Sequence, residues 1–380
     1  MNTTWRMKYE KAFGQKVCPT GARAFALGRQ ALVILLKAMG VKEGDRIGVC
    51  SFTCLSVVEA VKVCGAVPVY LDIDETLCIS PDEILKHRPG SLRAVILQHT
   101  FGNPGKLDRL LAACSEILAE VIEDCAHALG CSWQDKALGQ FGVAAIYSFQ
   151  WGKPYSTGQG GMLTVNSKSL LARVDEEIAR WAVSMSVKDD LTLEFQRRIY
   201  SFVNKAGLET YLKYLYFKLR DKGIVKGSFN LSGEFKLYQG YIQLAGERMS
   251  AAGLKQLKRW PQLQKIRREN VALIKEAFTK AGLPLWPIQR EADITMLRYP
   301  LLSAHKKEIL QVARQKKLDI AGWYNSPVHP LSGSNLAKAD YQLGSCPKTE
   351  LFVKRVVHIP TAITMDNLQL DKIISVLSTT

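Results

Sequence analysis

The chain has 380 residues and carries 51 Lys and Arg against 35 Asp and Glu, which gives a formal charge of +16. Its 47% apolar and 23% charged residues are ordinary for a globular protein and exclude collagen, low-complexity disorder and coiled coil. No apolar run reaches the ~18 residues that a membrane span needs, and Met1–Arg6 lacks the apolar stretch of a signal peptide. The nine cysteines, an odd number without a CxxC pair, predict reduced thiols in a cytoplasmic protein.

Short β-rich runs alternate with helical stretches over the first 170 residues. The predicted helices span about 28–39, 54–64, 81–87 and 106–119, and the predicted strands are Arg46–Cys50, Val67–Leu71, Ala94–Gln98, Glu120–Glu123 and Ala144–Ser148. Because these strands are almost wholly apolar, both faces of their sheet must be covered, which predicts an α/β domain with a parallel or mixed sheet. Ligands of such domains bind at the carboxyl ends of strands, where His99, Asp124 and Ser148 lie.

The remaining chain is predicted to be mainly helical. Residues 168–245 predict two or three helices, and 247–280 predict one long amphipathic helix with nine Lys and Arg against three acidic residues. The predicted apolar face of this helix consists of Leu254, Leu257, Leu263, Ile266, Leu273 and Ile274. A strand over Thr295–Leu301 and helices over 303–316 and 366–378 follow. The basic helix is interpreted as a solvated face, and the chain lacks zinc-finger spacing, an RNP-type motif and a homeodomain-like segment, so nucleic acid is not an expected partner.

Aromatic and basic residues are interleaved over 195–226, for example in Tyr211–Arg220. We interpret this stretch as an extra helical layer over a dimer. An element that rests on an anionic membrane surface, or that shapes a site for a lipid-linked sugar, is the alternative, because a surface-lying helix needs large apolar side chains flanked by Lys and Arg.

Two segments carry the chemistry. Val121–Gly130 places Asp124 at a strand end, and Ser148–Gly161 places Lys153 in a glycine-rich loop. Pyridoxal phosphate needs such parts, because a lysine amine forms a Schiff base with it and a carboxylate keeps its pyridinium nitrogen protonated. Backbone amides at a helix N-terminus hold a phosphate. Each residue alone would be read as a surface charge, whereas the combination predicts a cofactor site.

The chain resembles the DegT–StrS family of sugar-nucleotide aminotransferases, which are fold-type I pyridoxal-phosphate enzymes. The resemblance covers nearly the whole length and consists of short motifs in the family's order, namely Gly28–Leu32, Gly44-Asp45, Ser51–Thr53, Gly65–Pro68, Asp72–Asp74, His99–Pro104, Ile122–Asp124, Ser148-Phe149, Lys153 and Gly160-Gly161. It implies a large three-layer α/β/α domain over residues 1–245, with a mainly parallel mixed sheet and a helical insertion at about 168–245. It also implies a small C-terminal α+β domain over 246–380.

The resemblance also implies roles for individual residues. Lys153 would form the Schiff base and shuttle the proton, Asp124 would pair with the pyridine nitrogen, and His127 would lie close to the ring oxygen of the cofactor. The phosphate would be held by Gly28, Arg29, Gln30 and Ser148. His329 would lie near the substrate. Arg248 belongs to a motif that the neighbouring subunit of a homodimer contributes to the site.

Several positions depart from the family pattern. Cys54 occupies the position of the aromatic residue that stacks on the pyridine ring, and Leu27-Gly28-Arg29 replaces Ser-Gly-Thr before the first helix of the pattern. An Arg at this point would pair with the phosphate or with another anion. The usual Gly-Glu-Gly-Gly is Gly158–Gly161, with Gln159 at the Glu position, and the usual asparagine is replaced near Gly246–Ser250.

These observations predict an aminotransferase that moves an amino group, with glutamate as the expected donor, to a keto sugar of a nucleotide-linked sugar. The basic surface fits an anionic substrate. Because Lys153 is present, transamination is favoured over the dehydratase chemistry of the family branch that lacks this lysine. The alternatives are an enzyme of the same fold that acts on a non-sugar or lipid-linked substrate, and a basic protein that binds DNA or a membrane without catalysis.

Overall fold

The computed structural model describes residues 3–17, 20–205, 233–362 and 365–378. Its centre is a nine-stranded mixed sheet in the order β11-β12-β1-β10-β9-β6-β5-β2-β4. These strands are β1 (Gly21–Phe25), β2 (Arg46–Cys50), β4 (Val67–Leu71), β5 (Ala94–Gln98), β6 (Glu120–Asp124), β9 (Ala144–Ser148), β10 (Gly161–Val165), β11 (Ala182–Ser184) and β12 (Ile242–Leu244). From β4 to β9 the strands are parallel, whereas β10 is antiparallel to both β9 and β1.

Helices cover both faces of this sheet, because alternate side chains of each strand point to opposite sides. Val95 and Leu97 belong to one buried apolar cluster, and Ile96 between them belongs to the other. The helices of this part are α1 (Trp5–Val17), α2 (Gly28–Ala38), α3 (Leu55–Val63), α4 (Pro81–Leu85), α5 (Leu107–Glu116), α6 (Lys168–Trp181) and α7 (Val187–Lys205). Helix α2 is buried around nearly its whole circumference, since it packs against the sheet, α3 and α6.

The C-terminal part is built around one 34-residue helix and a small antiparallel strand pair. Helix α8 (Glu247–Lys280) packs against α1 and α7, and β14 (Arg298–Leu302) pairs with β16 (Val356–Pro360). The other elements are β13 (Ala292–Asp293), α9 (Lys306–Gln315), β15 (Val328–His329), α10 (Pro347–Phe352) and α11 (Asn367–Ser378), and the short strands β3 (Thr53–Cys54), β7 (Ser132–Trp133) and β8 (Lys136–Ala137) belong to the N-terminal part.

Two links join the C-terminal part to the strand ends of the large sheet. Strand β15 runs parallel to β3, so that His329 lies opposite Cys54. The Asp72 carboxylate, just after β4, accepts hydrogen bonds at 2.9 Å from the backbone N–H groups of Lys348 and Thr349 at the start of α10. The large sheet is therefore connected to the C-terminal part at the edge where ligands bind in this class of fold.

The predicted strands and helices of the N-terminal part are confirmed to within a few residues, as are the long helix over 247–280 and the final helix. The predicted apolar face of the long helix was partly wrong. Its buried stripe runs through Leu257, Trp260, Val271, Ile274 and Phe278, whereas Leu254, Leu263 and Leu273 are only partly buried. Helices α6 and α7 match the prediction for residues 168–205.

The predicted helical stretch at Tyr211–Arg220 lies outside the described residues. The sheet runs as far along the chain as β12, which ends at Leu244. The predicted domain boundary at 245–246 stays a prediction. In the described part of the chain, no helix combines the length and apolar character that crossing a membrane requires.

Candidate active site

A cavity lies at the carboxyl ends of the central parallel strands. Seven of the predicted site residues line it, namely Gly28, Arg29, Cys54, Asp124, His127, Ser148 and Lys153. Asp124 ends β6 and Ser148 ends β9, while Gly28 and Cys54 lie where α2 and α3 begin. The structure thus brings together side chains that are up to 125 positions apart in the sequence, from Gly28 to Lys153.

Lys153 lies in a loop that glycine geometry makes possible. Gly152, Gly158 and Gly160 have φ of 82°, 88° and 132°, in the region that side chains disfavour. A Cβ on Gly161 would lie 2.4 Å from the backbone nitrogen of Gly28, so a side chain there would push β10 away from the start of α2. These glycines place the lysine loop beside a helix N-terminus, whose first N–H groups have no partner within the helix.

The Lys153 amine contacts an imidazole. Its Nζ lies 2.9 Å from Nε2 of His127, while Nδ1 of the same ring accepts a hydrogen bond of 3.2 Å from the Phe101 N–H. Burial lowers the pKa of Lys153, and the nearby Cys54 and Asp124 only partly oppose this effect. Burial and the lysine together hold the pKa of His127 well below its ordinary value. Burial thus shifts both groups toward their uncharged forms.

Asp124 is a buried carboxyl group beside this pair. Its Oδ1 accepts a 2.9 Å hydrogen bond from the Ala126 N–H. Burial raises the pKa of Asp124, and the Ala126 N–H, Lys153 and His99 oppose that shift. A cationic ring N–H placed in the cavity would stabilise the ionised form of Asp124.

Glu123, which the sequence analysis did not single out, is fully occupied by hydrogen bonds. Its Oε1 accepts from the N–H groups of Phe141 at 2.6 Å and Gly142 at 2.8 Å, and its Oε2 accepts from the Gly139 N–H at 2.7 Å and contacts Nε2 of His99 at 2.9 Å. Burial raises its pKa, but His99 and the amides outweigh burial, so the pKa is lowered below 4.5. Glu123 therefore holds the His99 ring in place through this contact, and His99 in turn lines the cavity.

Arg29 and Gln30 are engaged by other residues. The Arg29 guanidinium forms a 3.0 Å ion pair with Glu59, whose other oxygen accepts a 2.8 Å hydrogen bond from the Tyr241 hydroxyl. The Gln30 side chain accepts from the Leu27 N–H and donates to the Tyr241 carbonyl at 2.6 Å, so it caps α2 and does not line the cavity. The predicted phosphate contacts of these two residues stay predictions.

The C-terminal part also contributes to this region. Tyr324 lines the cavity, packs against Phe52 with a ring distance of 4.6 Å and has a φ of 37°, which is unusual for a residue with a bulky side chain. His329 lies 5.5 Å from the Tyr324 ring, and burial together with Lys153 lowers its pKa to about 4. Its predicted place near the substrate stays a prediction.

Arg248 lies outside the cavity of its own chain. It is exposed at the start of α8, where its backbone N–H and that of Met249 donate to the Asp190 carboxylate. Its predicted role requires a second subunit and stays a prediction. Sequence reasoning missed Glu123, Glu59 and Tyr324 as site residues. The only signal for Glu123 was its position directly before Asp124.

The family model for the DegT/DnrJ/EryC1/StrS aminotransferase family matches residues 5–378. The chain belongs to this family. The predicted membership is thereby confirmed for nearly the whole chain, as is the predicted resemblance to enzymes that use pyridoxal phosphate.

Individual relatives of the family match at lower coverage. GDP-perosamine synthase from Escherichia coli O157:H7 is 33% identical over 167 residues, which are 44% of this chain and 46% of the relative. The spore coat polysaccharide biosynthesis protein SpsC from Bacillus subtilis is 29% identical over 274 residues, 71% of this chain and 61% of the relative. Alignments with the first curated relatives thus span about half of their length.

Solved structures of the family share the whole fold. A putative sugar aminotransferase from Streptococcus pneumoniae in its PLP form has a TM-score of 0.75 and 18% identity, and the match covers all of this chain and 91% of that one. DesV from S. venezuelae has a TM-score of 0.74 at 20% identity, and the match covers 99% and 88% of the two chains. The predicted fold-type I architecture is therefore confirmed.

The residues of the cavity fit pyridoxal 5′-phosphate, the cofactor of this family. Lys153 offers an amine whose pKa is lowered by burial, which increases the fraction of the uncharged, nucleophilic form. Asp124 offers a buried carboxylate oxygen to a ring N–H, and the first turn of α2 offers backbone N–H groups to a phosphate. A Cβ on Gly28 would lie 3.1 Å from the Tyr147 carbonyl, so glycine keeps this helix start close to the strand ends.

Proposed function

We propose that this protein is a pyridoxal-phosphate-dependent aminotransferase. It transfers an amino group, with glutamate as donor, to a keto sugar of a nucleotide-linked sugar in the biosynthesis of polysaccharide, lipopolysaccharide or related amino sugars. The observation that carries this proposal is the contact between Lys153 and His127 beside Asp124, at the strand ends of a chain that belongs to an aminotransferase family. The names of the relatives, which refer to a GDP-linked sugar and to a coat polysaccharide, support the substrate class.

Each residue of the site has a separate proposed role. When bound, the cofactor supplies an aldehyde carbon and a ring that accepts electrons. Lys153 would hold the cofactor through its amine and, when that amine is free, would take the proton from the α-carbon of the donor. Asp124 would stabilise a protonated ring nitrogen, because a buried carboxylate stabilises a cation in contact with it. Tyr324 and His329 face the same region from the C-terminal part, where the acceptor sugar is proposed to bind.

The assembly and the location of the protein are proposals of the same kind. We propose a homodimer in which Arg248 of one subunit approaches the cavity of the other, since this residue is exposed at the start of α8. A cytoplasmic location is proposed because all eight described cysteines are free thiols.

The first experiment tests the covalent link to the cofactor. Purified protein is mixed with pyridoxal phosphate, and the visible absorption of the lysine-bound form is recorded for the native chain, Lys153→Ala and Lys168→Ala. Lys168 starts α6 on the exposed surface, so its variant is the matched control. We expect the band in the native chain and in Lys168→Ala and its loss in Lys153→Ala, with circular dichroism unchanged. Equal bands in all three proteins would contradict the role of Lys153.

The second experiment tests the reaction. Nucleotide-linked keto sugars that differ in base and in the position of the ketone are offered with glutamate, and 2-oxoglutarate is measured. Turnover of at least one sugar in the native chain, and none in Lys153→Ala, is the expected result. Transfer to simple 2-oxo acids but to no keto sugar would reject the sugar assignment while keeping the aminotransferase.

A further inference from the structure

His127 has a single tautomer that is compatible with its contacts. Its Nδ1 accepts a hydrogen bond from the Phe101 N–H at 3.2 Å, so Nδ1 carries a lone pair and no proton. A neutral imidazole then carries its proton on Nε2. This Nε2 is the atom that lies 2.9 Å from Nζ of Lys153. The imidazole is therefore the donor of that hydrogen bond, and the lysine must accept it through a lone pair, which only an uncharged amine has.

Three aromatic rings pack around the His127 imidazole in the orientation that makes both of its contacts. Phe101 stacks on it with a centroid distance of 5.8 Å and an angle of 23°, and Trp323 and Tyr324 approach its edges at 6.5 and 6.4 Å. Phe101 itself has a φ of 55°, in the left-handed region that is costly for a side chain of this size. Strain of this kind persists where surrounding structure enforces it, and it is concentrated at functional sites. Here the strained residue supplies the N–H that fixes the tautomer.

We propose that His127 is a positioning residue that keeps the Lys153 amine uncharged before the cofactor arrives. Once this hydrogen bond opens, the lone pair that accepted it is free to form the new C–N bond with the aldehyde carbon of pyridoxal phosphate, and the two protons of the amine leave with the carbonyl oxygen as water. The identity of the aldehyde rests on the proposed function, whereas the state of the amine does not.

The other groups that face Lys153 influence its protonation state, some toward the ammonium form and some against it. Asp124 from β6 and Cys54 from the start of α3 favour the ammonium form, and burial opposes them. Lys153 is close enough to His329 of β15 to lower the pKa of that histidine. The His127 side chain donates a hydrogen bond to Nζ, which stabilises the uncharged amine. Its removal should therefore shift the balance toward the ammonium form.

The test measures the protonation of the Lys153 amine in the absence of cofactor. Cofactor-free protein is labelled with trace acetic anhydride across a pH series, and acetylation of the peptide that contains Lys153 is measured by mass spectrometry. The variants are His127→Phe, which keeps the ring packing but has no donor, and His127→Gln, which keeps an N–H donor. His358→Phe is the matched control, because His358 also packs on Phe101, at 5.4 Å, and does not contact Lys153.

We expect the reactivity midpoint of His127→Phe to rise by about one pH unit, the effect of losing one hydrogen bond to the neutral form. His127→Gln and His358→Phe should stay near the native midpoint. The proposal is overturned if His127→Phe keeps the native midpoint, or if His358→Phe shifts as far. A native chain that shows this labelling pattern but no absorption band with pyridoxal phosphate would reject the proposed function alone.

Discussion

The hydrogen-bond network of Glu123 predicts a large loss of stability on the change Glu123→Gln. The carboxylate accepts three backbone N–H bonds and contacts His99 while completely buried. An amide oxygen can keep the Phe141 and Gly142 bonds, but without the charge each loses about 1 kcal/mol. The amide nitrogen then faces the Gly139 N–H, which is left without an acceptor at a cost of about 1–3 kcal/mol. The free energy of unfolding should therefore fall by about 3–5 kcal/mol.

The control for this prediction lies on the same strand. Glu120→Gln removes a half-exposed ion pair with Arg93 and should cost less than about 1 kcal/mol. Both variants and the native chain are unfolded with urea in the absence of cofactor, and the midpoints and slopes are compared. If Glu123→Gln and Glu120→Gln lose the same stability within 1 kcal/mol, a threshold on the order of one hydrogen bond, the network does not have the role described here.

The difference in unfolding free energy between the native chain and Glu123→Gln should depend on pH with a definite sign. The pKa of Glu123 is lowered in the folded chain below its ordinary value of 4.5. The stabilisation by the carboxylate is therefore fully present above this ordinary value and is lost as pH falls through the lowered folded pKa. The gap between the native chain and Glu123→Gln should be constant near neutral pH and should narrow in acid. A gap that widens on acidification would contradict the assignment.

Four further predictions concern Asp124, Arg267, the oligomeric state and membrane binding. Asp124→Asn should keep the bound cofactor but slow the half-reaction with glutamate by about 10- to 100-fold, the effect of losing one charge-assisted hydrogen bond; an unchanged rate constant would refute its role. Arg267→Met should lower the free energy of unfolding by about 2–4 kcal/mol, because this buried guanidinium donates to the carbonyls of Met296 and Leu297 and to the Thr361 hydroxyl; a urea midpoint equal to the native one would contradict this. Sedimentation should show a dimer, and a fully active monomer would exclude the role of Arg248. Flotation with anionic and neutral liposomes at low salt should show no binding; binding to anionic vesicles alone would favour the membrane interpretation of 195–226.

The parts of the fold that the sequence predicts are those with a strong local pattern. The five parallel strands β2, β4, β5, β6 and β9 are apolar runs bounded by turns, and all five were predicted. Strand β1, Gly21-Ala-Arg-Ala-Phe25, was missed because glycine and alanine have low strand propensity. Its conformation depends on pairing with β10, where the partner of Phe25 is Gly161, 136 positions further along the chain. Pairing of this kind has no local signal.

The candidate site divides in the same way. Motif order indicated Lys153, Asp124 and His127 without any geometry, and the structure places all three at one cavity. The ion pair of Arg29 with Glu59 could not be predicted, because it joins the start of α2 to the middle of α3, and these helices come together only when the sheet assembles. The direction of the hydrogen bond between His127 and Lys153 also depends on a third residue, Phe101, in a strained conformation.

The pairing of β3 with β15 has a consequence for exchanging substrate loops between relatives. Thr53 and Cys54 pair as a strand with Val328 and His329. The backbone of the loop that carries His329 is therefore held against the residues that lead into α3. Grafting residues 322–332 from another family member with a different length before Val328 would displace the backbone beside Cys54, and with it the wall of the cofactor cavity. A graft that preserves this two-residue register leaves the backbone beside Cys54 in place and changes only side chains on the C-terminal side of the cavity, including that of Tyr324.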